Sequence, residues 1–173
     1  MESVLLFTQI YPPQQGGAAT FYSNLIRTVQ EDIDFHVICE YEPGQRVIDE
    51  RDGATLYRVL PKFEWLPRII QAPVEVLILL FVSLVLVIRK QVDLIHSHAS
   101  RSSIVGLAAT ATIFKIPIIY DCRDIGFRPQ VVKAGPTKVW FSCASNIDKK
   151  LERNGIPEER IIRLPVVNPE YVK

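Results

Sequence analysis

The order of apolar and polar positions along the chain predicts strands and helices in alternation. Val4-Leu5-Leu6-Phe7 begins an apolar run over residues 4–10 that suits a strand buried on both faces. The turn Gly16-Gly17 separates it from a helix over residues 18–30, in which Phe21, Leu25, Ile26 and Val29 recur at helical spacing. A second strand is expected over 35–41, closed by Pro43-Gly44, and a third over 54–60, opened by Asp52-Gly53. His36 is expected to pack at the start of the second. A short strand at 93–98, a helix at 100–114 and a strand at 117–121 follow. A sixth strand at 139–143 precedes a helix at 146–154, with Ser145 and Asp148 spaced as a capping box. Gly155 and Ile156 make a Schellman-type stop before a last strand at 161–164. Strands alternating with helices in this way imply an α/β fold with a parallel, doubly wound sheet.

One segment departs from the amphipathic pattern. Residues 74–88 are apolar apart from Glu75 and Ser83, with Pro67 and Pro73 expected to break the chain before the helix they form. The run falls short of the roughly 20 apolar residues of a bilayer crossing, and extension backward meets Pro73 and Gln71. A crossing also sets the strands on its two sides on opposite faces of the membrane. The readings left are a buried helix, a helix dipping into a membrane surface, and a true span. Arg58, Lys62, Arg68, Arg89 and Lys90 outnumber Glu64 and Glu75 around it, which suits an anionic lipid surface or, equally, a solvated rim.

Composition narrows the function classes. The 173 residues allow one domain with a substantial core. Twenty basic against nineteen acidic residues leave a net charge of +1, so nothing global points to nucleic acid. Cys39, Cys122 and Cys143 lack C-x-x-C spacing, which argues for small core residues in a reducing compartment rather than zinc or disulfides. The N-terminus reads as a strand and not as a secretion signal, so a cytoplasmic protein is expected.

Candidate chemistry sits where strands end. Gly16-Gly17 either relieves a tight turn or lets backbone N–H groups approach an anion at the start of a helix. It lacks the G-x-G-x-x-G spacing of a dinucleotide site. His96 and His98 share one strand face and read as packed histidines, as a strand end at which His98 faces a ligand, or as part of a metal site, although no further ligand stands at diagnostic spacing. In Asp121-Cys122-Arg123-Asp124, past the fifth strand, Arg123 suits a clamp for phosphate or carboxylate and Asp124 an acceptor for a hydroxyl, unless an internal Arg–Asp pair shapes the loop. No nucleophile stands beside a base, which argues against covalent hydrolysis.

Several of these pieces share the order and approximate spacing of one family. Tyr11-Pro12-Pro13 with Gly16-Gly17, residues 52–59, Asp93-Leu94-Ile95-His96-Ser97-His98, Pro117-Ile118-Ile119-Tyr120 with Arg123-Asp124, residues 142–145, and Asn154-Gly155-Ile156-Pro157 through Leu164-Pro165 carry the likeness. Across nearly its whole length the chain resembles the N-terminal domain of the retaining GT-B glycosyltransferases of family 4, the glycogen synthase and mannosyltransferase type. The resemblance implies a Rossmann-like doubly wound sheet forming one half of a GT-B fold over residues 1–165, with an interdomain linker starting at 166–173. It implies that this half holds a glycan or lipid-linked acceptor, and that a nucleotide-sugar donor is held by a C-terminal domain or subunit beyond this chain. By resemblance Arg123 and Asp124 take catalytic positions, and Gly16, Gly17, His98, Arg101 and Ser145 line the substrates. No metal or other cofactor is expected, no nucleic acid partner, and membrane contact only at the surface through residues 74–88. Arg123 stands where many members carry a histidine. The loop after Asp124 is shorter than usual, and Val166-Val167-Asn168-Pro169 replaces the customary Asn-Gly.

Overall fold

In the computed structural model, which describes residues 1–62, 66–123 and 136–164, eight strands of the described residues form one sheet. In chain order the elements are β1 (Glu2–Phe7), α1 (Gly17–Val29), β2 (Ile33–Glu40), β3 (Ile48–Arg51), β4 (Ala54–Leu60) and α2 (Arg68–Lys90). β5 (Leu94–His98), α3 (Arg101–Phe114), β6 (Ile118–Cys122), β7 (Thr137–Ser142), α4 (Ser145–Arg153), a 3-10 turn (Glu158–Arg160) and β8 (Ile161–Arg163) complete them. The strand order is β3-β4-β2-β1-β5-β6-β7-β8, parallel throughout except for the β3–β4 hairpin. The chain therefore winds outward from β1 in one direction, returns through α2, and winds outward again from β5. That reversal between β1 and β5 is the switch point where doubly wound sheets open a crevice beyond the strands' carboxyl ends.

Side chains alternate across each strand and build two cores. Val4, Leu6, Phe35, Val37 and Leu56 pack under Tyr22 and Ile26 of α1. On the other face Leu5, Phe7 and Ile95 meet Leu79 and Leu86 of α2, Ile104 and Leu107 of α3, and Ile147 and Leu151 of α4. α2 and α3 approach closely at Gly106, where a Cβ would lie 3.0 Å from the Val76 carbonyl oxygen and 3.2 Å from the Leu80 nitrogen. Ser83 and Thr110 share a buried hydrogen bond of 2.6 Å across the same contact.

Several expectations are corrected. β3 was not visible in the sequence pattern, because Asp49-Glu50-Arg51 reads as solvated and the strand lies at the sheet edge. It exists because Asp52 and Gly53, at φ 57° and 83°, form a two-residue turn whose twist suits a hairpin. The Asp52 carboxylate accepts from Ser23 Oγ at 2.7 Å and from Arg27 Nε at 2.8 Å, fastening the hairpin to α1. The helix after β7 begins one residue early, with Ala144 at its N-cap and no side-chain cap. Asp148 is occupied elsewhere, accepting from Ser142 and from Arg163 Nε at 2.7 Å, so no capping box forms with Ser145. The stop after α4 does form as expected, with the Gly155 N–H on Glu152 O at 2.7 Å and the Ile156 N–H on Leu151 O at 3.2 Å.

The helix after β4 runs through Pro73, which lies inside α2 instead of breaking the chain before it. Arg58 is no part of a lipid-facing rim. It points into the α1 side of the sheet at 1% exposure and donates to the Pro12 carbonyl at 2.7 Å. Lys62 is paired with Glu42 at 2.5 Å. Cys39 and Cys122 are buried, whereas Cys143 is half-buried. The expectations for Asp124, for most of the loop that follows it and for the linker at 166–173 fall outside the described residues.

Candidate functional site

The turn after β1 delivers Gly16 and Gly17 to the carboxyl edge of the sheet, both exposed. Gly16 is the N-cap of α1, with no side-chain cap hydrogen bond and no acidic residue in the first turn. The positive end of this 13-residue helix therefore carries no counter-charge from its own first turn. A Cβ on Gly17 would meet nothing within 4 Å, so the absence of a side chain there is not demanded by packing.

One turn further along α1, Phe21 and Tyr22 reach the tips of β5 and β6. The Arg123 guanidinium lies over the Phe21 ring, with Cζ 3.3 Å from the centroid. Its Nε donates to Asp121 Oδ2 at 2.8 Å, and the Tyr22 hydroxyl donates to the same oxygen at 3.0 Å. Arg123 is thus held from two sides, by a charge-assisted hydrogen bond and by stacking on an aromatic face. Its side chain keeps 12% of its surface exposed, and its Nη2 is buried with no hydrogen-bond partner among the described residues. Asp121 Oδ1 is in the same condition.

His96 lies beneath the cluster, edge-on to Tyr22 at 5.7 Å and to Phe141 at 5.5 Å between ring centroids. Its Nε2 is 3.9 Å from Asp121 Oδ2, too far for a hydrogen bond. Burial pushes its pKa down to about 4, and the attraction of Asp121 offsets only part of this, so the imidazole is neutral near pH 7. Burial, reinforced by the charge of Asp121, raises the Tyr22 phenol and keeps it a hydrogen-bond donor.

Of the residues named from the sequence, the structure gathers Arg123 and the Gly16-Gly17 turn around α1. His98 ends β5 half-buried, in register with Asp121. Ser145 is exposed at the start of α4, two strands away from β5 along the same edge. Arg101 is the first residue of α3. The internal Arg–Asp pair weighed from the sequence does form, and its carboxylate is that of Asp121. Tyr22 is the residue that sequence reasoning missed. Its only signal was a tyrosine among the apolar positions of α1, which reads as ordinary core. Among the described residues, no group of three or more His, Cys, Asp or Glu side chains is placed to hold a metal.

No protein-family model matches the sequence, and no curated protein does. Solved structures match its architecture. Sucrose-phosphate synthase from Thermosynechococcus elongatus aligns over 95% of this chain and 48% of its own, at TM-score 0.68 and 8% identity. HepE from Anabaena, solved in complex with UDP and glucose, aligns over 98% of this chain and 48% of its own, at TM-score 0.60 and 12% identity. UDP-N-acetylglucosamine 2-epimerase from Rickettsia bellii gives 94%, 44%, 0.64 and 14% in the same order.

The fold is one half of a GT-B molecule. This GT-B half spans about half the length of each of the three structures. Identities this low carry the architecture and not the chemistry. Within the half, the edge bearing Gly17, Arg123 and His98 is the one that a doubly wound sheet turns towards a ligand.

Proposed function

We propose that this chain is the acceptor-side half of a retaining glycosyltransferase, working with a nucleotide-sugar half beyond its residues. The observation that carries the reading is that one helix, α1, presents both an uncapped N-terminus at Gly16-Gly17 and, through Phe21 and Tyr22, the Arg123–Asp121 cluster. The N–H groups of α1 and the guanidinium supply positive charge where a departing diphosphate develops negative charge. In the reaction the acceptor oxygen bonds to the anomeric carbon on the face from which the carbon–oxygen bond to the diphosphate breaks, and the acceptor's proton passes to the diphosphate. Asp121 and Tyr22 position Arg123 for this role, Asp124 shares the catalytic work with it, and His98, Arg101 and Ser145 bind substrate. The acceptor is a glycan or a lipid-linked sugar, and the half works in the cytoplasm, peripheral to the membrane. HepE, with UDP and glucose bound, supports a uridine diphosphate donor.

A second reading, a non-catalytic recruiting subunit with the same fold, is favoured by the depth of the Arg123–Asp121 pair, which leaves little guanidinium surface for a ligand. The experiment is to combine the chain with a separately expressed nucleotide-sugar half and to follow sugar transferred to acceptor apart from sugar isomerised. Transfer that needs both halves, and that Arg123→Lys lowers at least tenfold with folding intact, supports the transferase. Transfer untouched by that change supports the recruiting subunit.

A further inference from the structure

The outer face of α2 is a continuous apolar stripe. Ile70, Leu77, Phe81 and Ile88 are 50–69% exposed. Their spacings of seven, four and seven residues return to within about 20° of one line down the helix, and 18 residues carry that line about 27 Å. On the opposite side Leu79, Ser83 and Leu86 are buried against the sheet and α3. A surface helix of a water-soluble domain carries polar residues opposite its core face. Here the opposite face carries none between Ile70 and Ile88. α2 is the one helix among the described residues long and apolar enough to cross a membrane, yet its two flanking strands, β4 and β5, lie in one sheet with α2 packed across it. It therefore does not cross, although only 17% of its apolar run is buried in the protein.

We infer that this stripe is a docking surface for an anionic lipid bilayer, with α2 lying flat and Leu77 and Phe81 entering the acyl boundary. Charge selects the occupant. Exposed Arg89 follows directly on the end of the stripe, about 100° round the helix from its line, where it meets lipid phosphates while the apolar residues enter the membrane. Lys90, also exposed, lies about 160° from the line and adds only longer-range attraction. Glu75 projects towards the core side of the helix, about 140° from the line. A second copy laid on the stripe in parallel sets Arg89 against itself, and laid antiparallel it offers no carboxylate from the described residues of the stripe. An anionic bilayer satisfies both the apolar line and the cations. α2 runs back from the carboxyl edge of the sheet, so docking holds the crevice beside the membrane surface. This consequence rests on the transferase reading. The docking itself does not, and vesicle binding and sugar transfer fail separately.

The test uses the full 173-residue chain with vesicles of phosphatidylcholine alone or mixed with phosphatidylglycerol. Cosedimentation with the mixed vesicles is expected to exceed that with phosphatidylcholine at least tenfold. Leu77→Ser with Phe81→Ser is expected to lower it at least tenfold, with the circular dichroism spectrum unchanged because both side chains are at the surface. Arg89→Gln with Lys90→Gln is expected to abolish the preference for phosphatidylglycerol. In Phe81→Trp, mixed vesicles carrying brominated acyl chains quench the indole. Equal binding of the parent and the serine variant, no quenching, or a lipid-independent dimer that the serine substitutions dissociate would each overturn the inference.

Discussion

The Tyr22 hydroxyl donates to Asp121 Oδ2 at 3.0 Å, joining the first helix to the sixth strand directly below Arg123. Two elements 99 residues apart are thereby held at one point, and three groups converge on one carboxylate: a phenol, a guanidinium and, at longer range, an imidazole.

The carboxylate is the centre of that arrangement, so its loss costs more than the loss of any one donor. Asp121→Ala leaves the Arg123 charge buried and unpaired and is expected to destabilise the fold by about 3–5 kcal/mol. Tyr22→Phe removes one neutral donor while Arg123 stays paired, at a cost of about 1 kcal/mol. Urea unfolding of the two variants beside the parent chain measures the difference, and equal costs would refute the central role of Asp121.

Acid should weaken the fold through His96. Its folded pKa of about 4 lies below the ordinary 6.5, so the unfolded chain takes up the proton first as pH falls. The stability that neutral His96 contributes is complete above pH 6.5 and is lost between there and about pH 4, amounting to at most about 3 kcal/mol. Buried His36, whose pKa burial also lowers, acts in the same direction. His96→Phe keeps the aromatic contacts to Tyr22 and Phe141 without the titration. Denaturant midpoints at pH 7.5 and pH 4.5 should therefore differ less in this variant than in the parent.

Gly106 is a packing residue. Its missing Cβ is the clearance between α3 and the backbone of α2, and a backbone cannot swing aside as a side chain tip can. Gly106→Val is expected to cost about 1–3 kcal/mol or more through overpacking, although a glycine inside a helix is normally unfavourable. A thermal midpoint equal to that of the parent chain would show that the two helices separate freely.

Gly17 behaves in the opposite way. A Cβ there projects into open space at the first position of α1, so Gly17→Ala should leave stability unchanged or raise it by up to about 1 kcal/mol. On the transferase reading, the same methyl group hinders the approach of the diphosphate to the helix N–H groups, and sugar transfer by the combined halves should fall at least tenfold. Loss of stability in Gly17→Ala would instead make the glycine a turn residue.

Periodicity alone determined the alternation of strands and helices, the doubly wound sheet and the glycine stop after α4, because each depends on which side of its own element a residue must bury. It also marked the carboxyl ends of the strands, and with them Gly17, His98 and Arg123. Only the tertiary structure decided which groups meet there. Spacing along the chain sets the direction of a side chain and not the neighbour that it finds. Arg123 was expected to face a ligand or to pair with an aspartate of its own cluster, and it is Asp121, with the Phe21 ring, that holds it. Arg58 has the charge of a surface residue, but β4 aims it inward, where the Pro12 carbonyl receives it. α2 was legible as an apolar helix. That its outer face has no place in the core became visible only when the sheet beneath it had taken the inner one.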